Sequence, residues 1–323
     1  MVYLLLDTAS LYWRSYFALP GSITAPDGTP INALRGLIDT LSTLVERRHP
    51  QHIVACWDND WRPQWRVDAV PTYKAHRADK THRADKTHQA DAAETAEEEV
   101  VPDTLTPQIP LIAQLLPLLG VCVHGVDGWE ADDVIARLAS SYATAGSTMV
   151  SVDIASGDRD LLQLVTQHVS VLYTGGTAKT RGGEPWLVMT PAEVAAKYGV
   201  SPDQYALLAT LRGDPSDGLP GVHGVGERTA VRLIEAFSDL AGILAAAAQP
   251  TPPRPLTPRL SQLLVSGQAS LRAAYSITQL RADTAISVPD HFPVADQGAA
   301  LAFADTWGVR RSVERFLHCS GRR

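Results

Sequence analysis

Continuous apolar runs alternating with helical-period segments fill the first half of the chain. Residues 1–7, Met-Val-Tyr-Leu-Leu-Leu-Asp, form a short unbroken apolar run, as expected of a strand buried on both faces. Residues 32–45 place Leu34, Leu37, Ile38, Leu41 and Leu44 at the three-and-four spacing of a helix with one apolar face. Residues 52–57 form a second strand ending at Asp58, so the chain opens with a strand–helix–strand unit of an α/β sheet. Beyond an insertion, the pattern predicts a helix over 111–119 interrupted at Pro117 and a strand over 121–126. A helix over 130–141, a strand over 148–154, the start of a helix at 161–164 and a strand over 169–173 follow. Five strands separated by helices predict a mostly parallel central sheet.

From residue 190 the pattern becomes helical. Helices are predicted over 191–198, from Pro202 onward, up to Phe237, over 260–277 and, as a small element, within 299–317. The Pro-rich stretch 249–257 reads as a stiff surface loop and 319–323 as a frayed tail. Residues 9–19 read as a loop, with Tyr12, Trp13, Tyr16 and Phe17 either packed beneath it or free to stack on an unpaired base. The resulting division is an α/β core over 1–189, with an insertion at about 60–110, and a helical region over 190–323.

The insertion breaks the pattern. Arg62, Arg66, Lys74 and Arg77 lead into a duplicated His-Arg-Ala-Asp-Lys-Thr over 76–87, whose cations recur every third residue with almost no apolar face. Such a segment is either a solvated loop or one that orders against a polyanion. The chain's 45% apolar and 20% charged content suits a soluble protein, and three distant cysteines without CxxC spacing suit a reducing cytoplasm. Residues 1–7 are too short for a secretion signal, and no apolar run reaches membrane-spanning length. A net charge of −7 would argue against a nucleic-acid partner, but nine acids at candidate site positions supply all of that excess.

Those nine acids carry the chemistry. Gly-Trp-Glu130-Ala-Asp132-Asp133 packs three carboxylates into four residues directly after a strand. Asp7, Asp58, Asp158 with Asp160, and Asp214 with Asp217 lie likewise at the ends of apolar runs or in glycine turns. Any one of them would serve as a helix cap, but together they match a site for hard divalent cations, which prefer oxygen ligands. The glycines at 221, 224 and 226, followed by a helix carrying Arg228, make a turn whose exposed N–H groups suit a phosphate.

In this order the motifs resemble those of the bacterial 5′→3′ exonuclease and flap endonuclease family, which includes the N-terminal nuclease domain of bacterial DNA polymerase I. The resemblance spans about residues 4–283. It implies a PIN-like α/β core with a helical arch insertion and a C-terminal helix–turn–helix clamp at about 203–237. It implies Mg²⁺ or Mn²⁺, two or more, at Asp7, Asp58, Glu130, Asp132, Asp133, Asp158, Asp160, Asp214 and Asp217, and a monovalent cation such as K⁺ at the clamp. Arg14, Lys74 and Arg77 would assist catalysis, while Arg66, Gly221, His223, Gly224, Gly226, Arg228 and Thr229 would hold DNA. The expected function is hydrolysis near the 5′ end of DNA at a flap, overhang or gap, in replication and repair, by a cytoplasmic monomer with no membrane contact. A non-catalytic junction scaffold and a PIN-type ribonuclease are the competing readings. The duplicated segment and a one-residue extension at Asp60-Trp-Arg-Pro depart from the family pattern.

Overall fold

The computed structural model describes residues 1–77, 101–144, 150–175, 185–281 and 285–321. The duplicated segment beyond Arg77 and the acids from Asp91 to Glu99 lie outside the described residues. The chain forms two compact units, each discontinuous in sequence. The first comprises 1–60, 103–205 and 280–323, and the second 61–102 and 206–279.

Among the described residues, the first unit is built on a six-stranded sheet. Its strands are β1 (Val2–Asp7), β2 (His52–Cys56), β3 (Cys122–His124), β4 (Ser151–Ser156), β5 (Val169–Tyr173) and β6 (Leu187–Met189), in the spatial order β3-β2-β1-β4-β5-β6. The first five run parallel, and β6 pairs antiparallel with β5. Leu4, Leu5 and Leu6 are fully buried, which is why β1 reads as continuous rather than alternating. The three-residue β6 is too short to leave a periodic signal, and the sequence does not reveal it.

The helices of this unit are α1 (Thr8–Ala18), α2 (Asn32–Arg48), α4 (Gln108–Leu118), α5 (Ala131–Thr144), α6 (Pro191–Tyr198), α12 (Gln297–Trp307) and α13 (Arg310–Cys319), numbered along the whole chain. The segment predicted as a loop is therefore helix α1. The Asp7 carboxylate caps it by accepting the Ser10 N–H at 3.1 Å, a contact typically worth about 1 kcal/mol. Leu11, Tyr12 and Ser15 form its buried face and lie against α2. Pro117 sits in the last turn of α4 and does not break it. The helix predicted from 161 is only a 3₁₀ turn, Asp160–Leu164, because the link to β5 is too short for more. The carboxy-terminal stretch is two helices, and α13 buries Val313, Phe316 and Leu317 and packs on α2. Closing the chain onto the first unit places 280–323 there rather than in a helical domain from 190, since an apolar helix face must find a partner.

The second unit contains α3 (Gln64–Ala69), α7 (Tyr205–Arg212, after its first residue), α8 (Glu227–Phe237), α9 (Leu240–Ala247), α10 (Pro258–Ser266) and α11 (Gln268–Thr278). Helix α9, whose alanine-rich stretch gives no clear helical period, is capped by the Asp239 carboxylate on the Gly242 N–H. The helix predicted over 260–277 breaks at Gly267 into α10 and α11. Among the described residues no helix is long and apolar enough to cross a membrane.

Candidate active site

The sheet grows in opposite directions from β1 and β4: β2 and β3 extend one side, β5 and β6 the other. Open α/β sheets place their ligands in the crevice outside the carboxyl ends of the strands at such a reversal. Asp7 is the last residue of β1 and Ser156 the last of β4, so both sit at this crevice. Ser156 Oγ donates to Asp7 Oδ2 at 2.5 Å and accepts the Asp158 N–H at 2.8 Å. Asp158 Oδ1 accepts the Asp160 N–H at 2.8 Å, and Ser10 Oγ accepts the Gly157 N–H at 2.9 Å. The turn after β4 is thus fastened to the start of α1 by two hydroxyls.

A third strand joins through Asp58, two residues beyond β2. Its Oδ1 accepts the Ala131 N–H at 2.8 Å, capping α5 and bringing the Glu130–Asp133 cluster to the same edge. Asp133 is buried and turns back, its Oδ2 accepting the Glu130 N–H at 3.3 Å, so it helps form the helix start. Glu130 is also buried, while Asp58, Asp132 and Asp160 are half-buried and Asp158 is exposed.

Asp7 feels the charges of Asp58 and Asp158. Burial first, and then the charges of Asp58 and Asp158, push the Asp7 carboxyl up to about 7, against the lowering effect of its hydrogen bonds from Ser156 and Ser10. Burial likewise drives the Cys56 thiol well up, with Asp7, Cys122, Asp132 and Asp58 adding to it. Among the described residues, no group of three His, Cys, Asp or Glu side chains closes into a ready-made metal cage. The acids line an edge rather than enclosing a point.

On the other side of the turn, burial raises the Tyr173 hydroxyl, the charges of Tyr198 and Asp158 add to this, and Arg159 and Arg14 oppose it. Arg14 therefore stands within reach of the Asp158 side, as does Arg159, a cation inside the Gly-Asp-Arg-Asp motif whose acids alone stand out in the sequence. Ser10 and Ser156 were also missed; their only signal was adjacency to motif acids. Tyr12 is buried beside Trp57, whereas Trp13 and Phe17 stack at 5.8 Å with Tyr16 edge-on, and Phe17 is 74% exposed.

In the second unit, Asp214 and Asp217 hold a turn. Asp214 is buried, exchanges backbone hydrogen bonds with Leu219, and its Oδ1 accepts from the Ser216 N–H and hydroxyl. The base of the insertion is fastened to this turn: Lys74 N–H donates to Asp217 O at 3.0 Å, Thr72 Oγ1 to Gly218 O at 3.2 Å, and Arg77 Nη2 to Ser216 O at 2.8 Å. The Arg77 guanidinium also lies 3.7 Å from Asp217 Oδ1. Lys74 Nζ rests 3.4 Å from Trp61 O and 5.2 Å over the Tyr73 ring. Arg66 departs from the DNA-binding role expected of it. It is 2% exposed, its guanidinium set 4.6 Å from the Trp65 ring and 5.6 Å from the Tyr73 ring.

The glycine turn divides in two. Gly213 and Gly221 have positive φ and press together: a Cβ on Gly221 would stand 2.4 Å from Gly213 N. Gly224 and Gly226 are exposed with open space around them, and Gly226 caps α8 without a side chain. His223 and Arg228 are exposed beside them, and Thr229 is half-buried with its N–H on Gly226 O. Gly221→Ala should therefore cost about 2–4 kcal/mol through a backbone collision and left-handed strain. Gly224→Ala meets only the strain and should cost about 1 kcal/mol. Urea unfolding of the two variants measures the difference.

The first unit thus carries an acid-lined crevice at the reversal point of a parallel sheet, and the second carries a glycine turn between helices. Residues 2–199 match the model for the 5′-3′ exonuclease N-terminal resolvase-like domain, and residues 200–297 the 5′-3′ exonuclease C-terminal SAM fold. The chain is 46% identical to a 5′-3′ exonuclease of Streptomyces coelicolor, covering 97% of this chain and 98% of that one. It is 36% identical to DNA polymerase I of Mycobacterium bovis over 75% of this chain and 24% of the polymerase. The fold is similar to that of the bacteriophage T5 flap endonuclease, solved as a pseudo-enzyme–product complex with DNA and metal ions, with TM-score 0.60 at 16% identity over 99% of this chain and 100% of that one. The chain belongs to the 5′-3′ exonuclease family and is a nuclease.

Proposed function

We propose that the crevice hydrolyses phosphodiesters near the 5′ end of DNA, at a flap, overhang or gap, with divalent cations held by its carboxylates. The observation that carries this is the gathering of carboxylates at one sheet edge: buried Asp7 and the Asp158 turn share the Ser156 hydroxyl, and Asp58 caps the helix that begins beside Glu130 and carries Asp132. Such a cluster is unfavourable alone and is relieved by a cation. Its open layout suits Mg²⁺ or Mn²⁺, since Mg²⁺ keeps several waters and takes only one or two carboxylates directly. Asp7, Asp58, Glu130, Asp132, Asp158 and Asp160 are the residues that would hold the ions. When bound, such ions lower the pKa of a water and neutralise phosphoryl charge.

The chain's own groups set the geometry. Ser156 and Ser10 fix the Asp158 turn against Asp7, and Asp58 fixes the start of α5, so the acids stay in place despite their repulsion. Arg14 and Arg159 bring positive charge to the Asp158 side, where a strand's phosphates would lie. Trp13, Tyr16 and Phe17 offer ring faces to an unpaired base. The exposed Gly224 and Gly226 and Arg228 receive duplex phosphates, with a monovalent cation such as K⁺ at that turn. Kinship with DNA polymerase I favours a replication and repair role.

A 5′-labelled DNA flap, the matching RNA and intact duplex, each with Mg²⁺, Mn²⁺ or chelator, test the reading. Short labelled products from the DNA flap, lost with chelator, are expected. Tight junction binding without cleavage under either metal would make the protein a scaffold, and preference for RNA would make it a ribonuclease.

A further inference from the structure

Thr174, the residue after β5, lies at the same carboxyl edge, beyond the acids and serines of the crevice. Its N–H donates to Ser156 O at 2.8 Å, which carries the β4–β5 pairing one residue past Tyr173. Its side chain is 4% exposed, and its hydroxyl has no hydrogen-bond partner among the described residues. Buried hydroxyls nearly always find a partner, because leaving one unmade forfeits its hydration without return.

The surroundings point to where that partner belongs. A Cβ built on Gly157 would stand 3.4 Å from Thr174 Oγ1 and 3.0 Å from Ser10 Oγ, so the two hydroxyls flank the Gly157–Asp158 turn. Ser10 Oγ is engaged there by the Gly157 N–H, and Ser156 Oγ is engaged on both sides, by Asp7 and by the Asp158 N–H. Thr174 contributes a third hydroxyl to this turn, and its hydrogen-bonding capacity is unspent within the described residues.

We infer that Thr174 is a positioning residue of the metal site: its Oγ1 holds a water from the hydration shell of a divalent cation against the Gly157–Asp158 turn. A hydrated Mg²⁺ or Mn²⁺ presents waters to its outer partners, and those partners orient the ion and tune its affinity. The inference rests on the reading of Asp7 and Asp158 as metal-holding residues.

The test is Mn²⁺ titration of the metal-free full chain by calorimetry, with thermal unfolding of each metal-free protein, for the wild type, Thr174→Val, Thr174→Ser and Asp158→Ala. Thr174→Val keeps the shape and removes the hydroxyl. It should bind Mn²⁺ about tenfold more weakly, with a metal-free Tm equal to or above that of the wild type. Thr174→Ser should bind within about twofold of wild type. Wild-type affinity in Thr174→Val overturns the inference and leaves the acid assignment standing. Equal weakening in Thr174→Val and Thr174→Ser also overturns it, since that marks packing rather than the hydroxyl. A wild type that binds no Mn²⁺, or an Asp158→Ala that binds it undiminished, overturns the acid assignment and this inference together.

Discussion

Asp158→Ala should reduce flap cleavage by about a thousandfold while leaving binding of the same DNA, measured in chelator, at or above the wild-type level. Electrostatic stabilisation at such a site is worth several kcal/mol, and each 1.4 kcal/mol is about tenfold in rate. The Asp158 side chain is exposed at the crevice and takes one local hydrogen bond, from the Asp160 N–H. Removing it therefore costs little stability, and a loss of activity reports on the site rather than on folding. DNA binding separates the effects further, because deleting a carboxylate lowers the repulsion that phosphates meet. Cleavage kept within tenfold of wild type would remove Asp158 from the site.

Asp7→Asn should abolish cleavage to a similar extent, yet make the metal-free protein more stable, by a margin that grows with pH. The Asp7 carboxyl titrates near 7 in the folded chain, raised from an ordinary 3.8 by burial and by Asp58 and Asp158. A carboxyl raised on folding holds a proton that the unfolded chain has released, so its contribution to stability falls as pH rises from about 4 to about 7 and then levels off. Between pH 5 and pH 8 this amounts to about 2–3 kcal/mol for one group. The amide put in place of the carboxyl carries no charge to bury, and its oxygen can still accept the Ser10 N–H that starts α1. The variant's Tm advantage should thus be small at pH 5 and several degrees at pH 8, as read by thermal unfolding in chelator. Added Mg²⁺ should stabilise the wild type most at pH 8 and the variant far less. A variant less stable than wild type at pH 8 would mean that the Ser156 hydrogen bond outweighs the cost of the buried charge.

The parallel sheet was legible because strands covered on both faces are mostly apolar: β1 and β2 leave nearly continuous runs, while β4 and β5 are interrupted by Asp153, whose buried carboxylate accepts from Arg48 at 2.8 Å, and by Ser170. Their carboxyl ends were legible too, since Asp7 and Asp58 follow such runs directly. Helix α1 was not, because its first turn depends on the Asp7 cap and its burial on α2, while its aromatics gave no clean period. Arg66 misled for a related reason: a basic residue among basic residues reads as phosphate-binding until Trp65 and Tyr73 are seen to enclose it. Ser10, Ser156 and Thr174 carry no chemical signature in one dimension, and only strand pairing brings them around one turn.

The sequence by itself determined the fold class, the order of the acidic motifs and the kinship they carry, because these depend on local periodicity and residue type. Tertiary structure decided which acids repel one another, which of them instead cap a helix or hold a turn, and which hydroxyls steady the crevice. Those properties depend on distances between segments far apart in the chain, and on how much water each carboxylate loses when the strands align.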